Sequence, residues 1–224
     1  MTTIAFAPIH EAALVRLGAE ALGRRLPEVK DAKALAAVPD DRYLSLVSLR
    51  VFRAGLKHSL VDAKWPAFEE AFNGFVPAAV LAMSDEDLEA LMSDRRLIRH
   101  WGKLRSVPKN AAALDAISRA HGGFGRYLAK YPHARMVDLW AELAKAFDQM
   151  GGESVPRFLR MAGCDSFILS ASVLAALKHW GVGEGEFKNK ADRAKVQTQF
   201  NDWAAATALP LSHLSMILAC SIDD

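Results

Sequence analysis

The chain is 224 residues long and 51% of its residues are hydrophobic, so it can bury a substantial core. That length favours one domain, and two lobes of one compact unit are equally compatible with it. Lysine and arginine total 28 against 26 acidic residues, and the net charge of +2 excludes a general electrostatic attraction to nucleic acid. Any such attraction must come from a local group of basic side chains.

Cysteine usage and hydropathy indicate the compartment. The two cysteines, Cys164 and Cys220, are too few for a disulfide framework and are typical of a reducing cytosol. No stretch approaches the roughly 18 uninterrupted apolar residues of a membrane span, and the N-terminus lacks a basic segment followed by a long apolar run. We therefore expect a soluble, cytoplasmic protein.

Helical spacing of apolar residues recurs along the chain, and no convincing period-two run of β-branched residues interrupts it. The sequence therefore predicts an all-α fold of about ten helices. The stripes are, in chain order, Leu14, Leu17, Ala21 and Leu22; Trp65, Phe68 and Phe72; Leu104, Val107, Ala111, Leu114 and Ile117; Trp140, Leu143, Ala144 and Phe147; and Leu214, Ile217 and Leu218.

Helix-boundary residues agree with this pattern. Ser84 and Asp87 form a capping pair at the start of a short acidic helix. Gly151-Gly152 ends the Trp140 helix, and Gly163 closes the helix that follows it. The predicted loops are the segments 31–41, 121–125 and 181–186.

Basic side chains concentrate in one turn, where Arg99, His100 and Lys103 are the centre of a group that also contains Arg95, Arg96 and Arg105. Such a density is typical of a phosphate-facing patch. A solvated turn whose charges pair with the acidic segment 85–89 explains it equally well, because surface ion pairs are common and weak. Both interpretations stay open at this stage.

Two motifs carry a resemblance to a known family. The first is the run Leu97-Ile98-Arg99-His100-Trp101-Gly102-Lys103-Leu104, followed by the pair Asn110-Ala111. The second is Ala54-Gly55-Leu56, in a helix that leads to Trp65. In order and spacing these motifs resemble the DNA-3-methyladenine glycosylase I family of helix-hairpin-helix DNA glycosylases. The resemblance covers residues 42–120 well and 158–183 more weakly.

This resemblance implies a helix-hairpin-helix DNA glycosylase-like fold, with two helical lobes around a cleft lined by the Arg50–His58 helix, in a single domain over residues 1–224. It also implies a base-excision repair enzyme that hydrolyses the N-glycosidic bond of a flipped, alkylated base in double-stranded DNA. We expect a monomer that needs no cofactor. A diverged member, catalytically altered or inactive, that binds DNA or a different, neutral base is the alternative.

Carried over by position, the residues of the family's base pocket differ in this chain. The family's acidic residue, which recognises the cationic methylated base, falls on Arg50, and its stacking aromatic residue falls on His58. A cationic side chain in the base pocket would repel a cationic base. We therefore expect excision of 3-methyladenine to be slow, or the enzyme to act on a different base. Phe52 and Trp65 are further candidates for the pocket, with core packing as their alternative.

The resemblance also implies a phosphate-binding hairpin, for which residues 164–177 are the candidate. Where the family has Phe-Val-Gly-Thr-Thr, this chain has Phe167-Ile168-Leu169-Ser170-Ala171. Ser170 and Ser172 can still bind a phosphate, although Ser170 can equally be only a helix cap. Glu184 and Glu186 are the candidates for a catalytic general base, with a solvated loop as their alternative.

The family's structural zinc uses two Cys and two His residues from both ends of the chain. This sequence has no Cys before Cys164, and the pair His213 and Cys220 cannot fill four tetrahedral positions. We therefore expect no metal site.

Overall fold

The structure, a computed structural model, describes residues 4–183, 187 and 189–223. Across these residues the regular structure is entirely helical, which confirms the predicted all-α class. Two 3-10 turns, Asn73–Phe75 and His133–Arg135, accompany the α-helices. The α-helices are α1 (Ala7–Leu17), α2 (Ala19–Gly23), α3 (Ala32–Ala37), α4 (Asp40–Arg53), α5 (His58–Ala71), α6 (Pro77–Leu81), α7 (Asp85–Leu91), α8 (Trp101–His121), α9 (Phe124–Lys130), α10 (Met136–Ala146), α11 (Ser154–Met161), α12 (Ala171–His179), α13 (Lys190–Thr207) and α14 (Leu211–Cys220).

The sequence predicted about ten helices, whereas the described residues contain fourteen. The additional ones are short: α2, α3 and α6 have five, six and five residues. Periodicity is measured over windows of about 11 residues or more, so such helices escape it. Helix α3 occupies the predicted loop 31–41, where the Asp31 carboxylate caps it by accepting from the Ala34 amide at 2.7 Å.

The predicted helix from Arg50 to His58 is wrong as a continuous element. Helix α4 ends at Arg53, and α5 begins at His58. Between them Gly55 has a φ of +74°, in the left-handed region that favours glycine. The motif Ala54-Gly55-Leu56 is therefore a turn between two helices rather than part of one.

The chain divides into two compact units. The first comprises the described parts of residues 1–30, 131–140 and 163–224, and the second comprises residues 31–130 and 141–162. Helix α10 supplies residues to both units.

In the second unit α4 is the central helix, and α5, α8, α9 and α11 pack against it. Its buried side chains recur at helical spacing, with Tyr43, Val47 and Val51 on one face. Aromatic rings fill the space toward α5: Phe52 lies 4.5 Å from Phe68 between ring centroids, and Trp65 stacks on Phe75 at 5.4 Å. This core fixes the position of the C-terminal end of α4.

Helices α3 and α9 approach so closely that only glycine fits at residue 125. A Cβ atom there would collide with the backbone carbonyl oxygen of Leu35 and lie 3.0 Å from the Tyr43 ring. The same carbonyl accepts the Tyr43 hydroxyl at 2.8 Å. Because a backbone atom and a buried ring are the obstacles, the contact has little freedom to relax.

We predict that Gly125→Ala lowers the free energy of unfolding by about 1–3 kcal/mol through overpacking. Gly23→Ala is the matched control, since Gly23 ends α2 and its added Cβ would meet no neighbour. That control should be neutral or stabilising by up to about 1 kcal/mol. Urea unfolding measures the free energy of unfolding of each variant. Equal values for the two would contradict the close approach of α3 and α9.

In the first unit α14 packs against α1, α12 and α13. The segment from Cys164 to Leu169 is buried and forms no helix. Within it, Phe167 stacks on Phe200 at 4.3 Å and meets Trp140 edge-on at 4.6 Å. No single described helix is both long and apolar enough to span a bilayer, and α13 and α14 meet that criterion only as a pair bent by 100°.

A buried carboxylate caps α14. Asp165, only 5% exposed, accepts from the amides of Leu211 and Ser212 at 2.9 and 2.8 Å, and His133 Nδ1 lies 3.6 Å from it. Burial by itself would raise the pKa of Asp165, but the hydrogen bonds from His133 and the two amides outweigh burial and hold that pKa below its ordinary value. The hydrogen bond to Asp165 raises the pKa of His133.

We predict that this pair makes stability depend on pH above about pH 6.5, the ordinary pKa of histidine. A raised folded-state pKa means that the protonated His133 stabilises the fold fully below about pH 6.5 and that this contribution is lost as the pH rises through the raised pKa. The free energy of unfolding of the wild type should fall in that window, and that of His133→Gln should change less. If the free energy of unfolding changes equally with pH in the two proteins, the contribution of the His133–Asp165 pair is contradicted.

Candidate functional site

The turn between α4 and α5 is exposed and carries apolar side chains. Leu56 and Leu60 are 38% and 50% exposed, and Lys57 and His58 are exposed beside them. His58 is the first residue of α5. The structure therefore places this predicted pocket residue on the surface, at the N-terminus of a helix.

Lys103 lies under this turn and holds the end of α4. Its side chain is 8% exposed, and its ammonium donates to the carbonyl oxygens of Ala54 at 2.6 Å and Phe52 at 3.2 Å. These carbonyls belong to the last turn of α4, whose helix dipole favours a cation. Burial, and then the positive charge of Arg50, lowers the pKa of Lys103.

This geometry corrects the predicted position of Lys103. The sequence grouped it with Arg99 and His100 as a phosphate-facing cation, whereas its ammonium is turned inward to backbone acceptors. The reason is helical periodicity: Lys103 and Leu104 are buried near the start of α8, whereas Arg105 lies on its exposed side and Arg99 lies in the exposed turn before the helix.

Arg50 lies one turn before the end of α4 and is half-buried. Its Nε atom is buried and has no hydrogen-bond partner among the described residues. Burial, and then the charge of Arg157, lowers the pKa of Arg50, while Glu153 opposes that effect. Arg53 adds a further cation close by.

The carboxylates of this region already have partners. Glu153 accepts from Nε and a terminal nitrogen of Arg157 at 3.0 and 2.6 Å. Asp62 accepts from Arg53 at 2.7 Å. Arg50, Arg53, Lys103 and Arg157 thus gather against two carboxylates, and the region carries excess positive charge.

The two other predicted pocket residues belong to the aromatic core. Phe52 is completely buried, which agrees with its core-packing alternative. Trp65 is half-buried, stacks on Phe68 at 5.0 Å and donates its indole N–H to Ser45 at 3.1 Å. Its ring and its polar atom are therefore both engaged within the second unit.

The exposed turn before α8 contains Arg99, whose side chain is open to solvent, and His100, whose Nδ1 caps the helix by accepting from the Lys103 amide at 3.3 Å. Arg105 lies over the Trp101 ring at 5.6 Å. Arg96 pairs with Asp94 and Glu70, each at 2.8 Å, rather than with the segment 85–89. The exposed cations of this turn are thus fewer than the sequence indicates.

Asn110 belongs to the first motif, but the sequence analysis assigned it no structural role. It is completely buried and bonds the backbone of Asp148 through both side-chain atoms, accepting from the amide at 2.7 Å and donating to the carbonyl at 3.2 Å. The adjacent Gln149 approaches Gly102 at the start of α8. Two signals pointed to it in the sequence: its place in the motif pair Asn110-Ala111, and its spacing with the apolar residues of the same helix.

In the predicted hairpin segment, Ser170 is the N-cap of α12, and its hydroxyl accepts from the Val173 amide at 3.3 Å. Ser172 lies in the first turn of the same helix. Leu169 is buried and does not adopt a positive φ, so this backbone has no need of the family's glycine. Whether either serine contacts phosphate stays a prediction.

Glu184 and Glu186, the candidate general bases, lie outside the described residues. Among the residues that are described, no group of three or more His, Cys, Asp or Glu side chains is arranged to hold a metal ion. Burial, and then Asp165, raises the pKa of the Cys164 thiol to about 12, which makes it unreactive as a thiolate.

Comparison with known proteins agrees with this arrangement of helices and turns. The family model for methyladenine glycosylase matches residues 34–182, more than half of the chain. DNA-3-methyladenine glycosylase of Haemophilus influenzae is 27% identical over 132 residues, which cover 54% of this chain and 71% of that protein. DNA-3-methyladenine glycosylase 1 of Escherichia coli is 35% identical over 72 residues, covering 32% of this chain and 38% of the relative.

The fold is also similar to a solved structure. The 3-methyladenine DNA glycosylase I of Staphylococcus aureus superposes with a TM-score of 0.52 at 23% identity, covering 59% of this chain and 84% of that one. The all-α fold and the family match together define the class of this protein as an all-helical DNA glycosylase. The chain belongs to the methyladenine glycosylase family, as the sequence predicted, and its function is that of a base-excision repair glycosylase with DNA as substrate.

We predict that Lys103→Met lowers the free energy of unfolding by about 1–3 kcal/mol, because it leaves the buried carbonyls of Phe52 and Ala54 without their donor. Lys109→Met is the control on the same helix, since Lys109 is exposed and makes only a surface ion pair with Asp148. We expect a change within about 0.5 kcal/mol for that control. Denaturant unfolding compares the free energies of unfolding of the two variants. A Lys103→Met protein as stable as the control would contradict the role of the Lys103 ammonium at the end of α4.

Proposed function

We propose that the protein acts on double-stranded DNA, extrudes an altered base and hydrolyses its bond to the sugar, as a monomer in the cytoplasm without metal or cofactor. The observation that carries this proposal is the family match over residues 34–182, which spans α3 to α12 and includes both motif turns. A base buried in the DNA stack is out of reach of any active site, so extrusion is part of the reaction.

The α4–α5 turn and the end of α4 are our candidate for the base site. Arg50 supplies unpaired donors at its recessed side, and His58 supplies an imidazole at the adjoining helix start. Phe52 and Trp65 act behind this site, because their rings support the last turn of α4 rather than contact a ligand. The base site we propose therefore has two of the four side chains that the sequence suggested, Arg50 and His58.

The turn before α8 is our candidate for contact with the DNA backbone. Arg99 and His100 are exposed there, and the N-terminus of a 21-residue helix favours an anion. Ser170 and Ser172 at the start of α12 offer a second contact of the same kind. Lys103 supports the turn from within and makes no phosphate contact.

A diverged function is the second candidate, because a partly desolvated cationic site does not suit a cationic base. In that case the protein binds DNA, or excises a base other than 3-methyladenine. The two candidates differ in one observable, which is whether any free base leaves the DNA.

The purified protein should release a free base from methylated genomic DNA or from lesion-bearing duplexes, above a reaction without protein, as measured by mass spectrometry. We expect slow release of 3-methyladenine, because the positive charge at Arg50 disfavours its cationic form. If no base is released from any of these substrates while DNA is still bound, the protein is a binding module and the hydrolase proposal fails.

Phosphate contact by Arg99 has a separate signature. Arg99→Gln should reduce the slope of log affinity for duplex DNA against log salt by about 0.9, the value of one phosphate contact. Lys103→Met should leave that slope unchanged, since its ammonium faces backbone carbonyls. Titrations at several salt concentrations compare the two variants, and a slope that drops only in Lys103→Met would reverse our placement of the interface.

A further inference from the structure

The end of α4 gathers more positive charge than the described residues neutralise. Four cationic side chains, Arg50, Arg53, Lys103 and Arg157, meet two carboxylates, Asp62 and Glu153. Helices α8 and α11 both pack against α4, so this group is partly withdrawn from water. Like charges held together in such a place repel one another more strongly than they do in solvent.

The two carboxylates of this group, and the carbonyl oxygens at the end of α4, are already engaged with other cations. Arg157 holds Glu153 through two hydrogen bonds, and Arg53 holds Asp62. The carbonyl oxygens that end α4 accept from Lys103. Arg50 itself makes neither a hydrogen bond nor an ion pair with any described residue, and its Nε is buried. A buried donor without an acceptor destabilises the protein, and a ligand whose acceptor atoms bind the guanidinium can offset that destabilisation.

The planar shape of the unpaired Arg50 guanidinium restricts the kind of ligand that can bind it. A guanidinium is a planar fork of donors that pairs with two acceptors on one edge of a flat molecule. On nucleic acids its best partner among the bases is the edge of a 6-oxopurine, where O6 and N7 both accept. A phosphate offers acceptors too, but an exposed arginine such as Arg99 reaches the backbone more readily than a recessed one.

We infer that Arg50, framed by Arg157 and Lys103, binds the O6 and N7 edge of a deaminated 6-oxopurine such as hypoxanthine or xanthine, and that the enzyme prefers this neutral or anionic base to a cationic one. The inference rests on the proposed function and adds the class of base to it. We refer to this group as the Arg50 site.

The charge of the Arg50 site also suits the chemistry of such a base. In hydrolysis the oxygen of water bonds to C1′ of the sugar, and the bond between C1′ and N9 breaks. Its electron pair leaves with the base, which stays anionic until it takes up a proton, and the water loses a proton to solvent. A fixed cation on the departing purine stabilises this developing negative charge. A base that is already cationic gains nothing from it.

The first test measures base release from duplexes that contain deoxyinosine or deoxyxanthosine and from methylated DNA. The wild type should release the oxopurine faster than 3-methyladenine, and Arg50→Gln should slow oxopurine release by about 100-fold, the usual cost of losing one charge-stabilising donor. Arg126→Gln is the control, since Arg126 is an exposed arginine on α9 of the same unit. An unaffected oxopurine rate in Arg50→Gln, or a wild-type preference for 3-methyladenine, overturns the inference.

The second test needs no catalysis and separates this inference from the proposed function. Free hypoxanthine and xanthine are titrated calorimetrically into wild type, Arg50→Gln and Arg50→Lys, after thermal unfolding shows that each is folded. We expect binding to the wild type that weakens about tenfold in Arg50→Gln and less in Arg50→Lys, which keeps the charge without the fork. If no base leaves any DNA, the proposed function fails, yet this binding still supports the Arg50 site. Absence of binding overturns it.

Undamaged duplex distinguishes a base from a phosphate as the ligand of Arg50. A base contact predicts the same salt slope for wild type and Arg50→Gln. A slope reduced by about 0.9 in Arg50→Gln, with an unchanged preference among bases, identifies a phosphate contact and overturns the base assignment.

Discussion

The buried ammonium of Lys103 joins the two motifs on which this site depends. Lys103 belongs to the turn that opens α8, and the carbonyls it holds at 2.6 and 3.2 Å belong to Ala54 and Phe52 at the end of α4. One cation thus satisfies acceptors that a helix end leaves free and fixes where the chain turns toward α5. Arg50, one turn earlier on α4, takes its position from the same anchor. The cost is a lowered pKa of Lys103, through burial and the nearby positive charge of Arg50.

Local signals in the sequence predicted local structure well. The capping box of Ser84 and Asp87 is present, and Ser170 caps α12 as its alternative interpretation required. The all-α class followed from periodicity alone. These features depend on residues within about one turn of each other, so the information that specifies them is contiguous in the chain.

Residues whose partners lie far along the chain were harder to assign. Lys103 reaches acceptors some fifty positions earlier, and Asn110 holds a backbone 38 positions later. Charge density groups Lys103 with Arg99, yet burial separates them, because the side of α8 that faces α4 is known only once the helices pack. The break at Gly55 was missed for a related reason, since an apolar pattern continues on both sides of it.

In our proposal positive charge has two separate tasks, and we expect them to respond differently to salt. Arg99 is exposed, so its attraction to a DNA backbone is screened over about 10 Å at ordinary ionic strength. Arg50 is recessed among packed helices, where screening is weaker and a well-fitting ligand must replace the water that the guanidinium gives up. Docking on DNA can therefore weaken with salt while selection of the base changes little. In our proposal the base can therefore change without any change in how the enzyme approaches DNA, because Arg50 lies on α4 and Arg99 lies in the turn before α8.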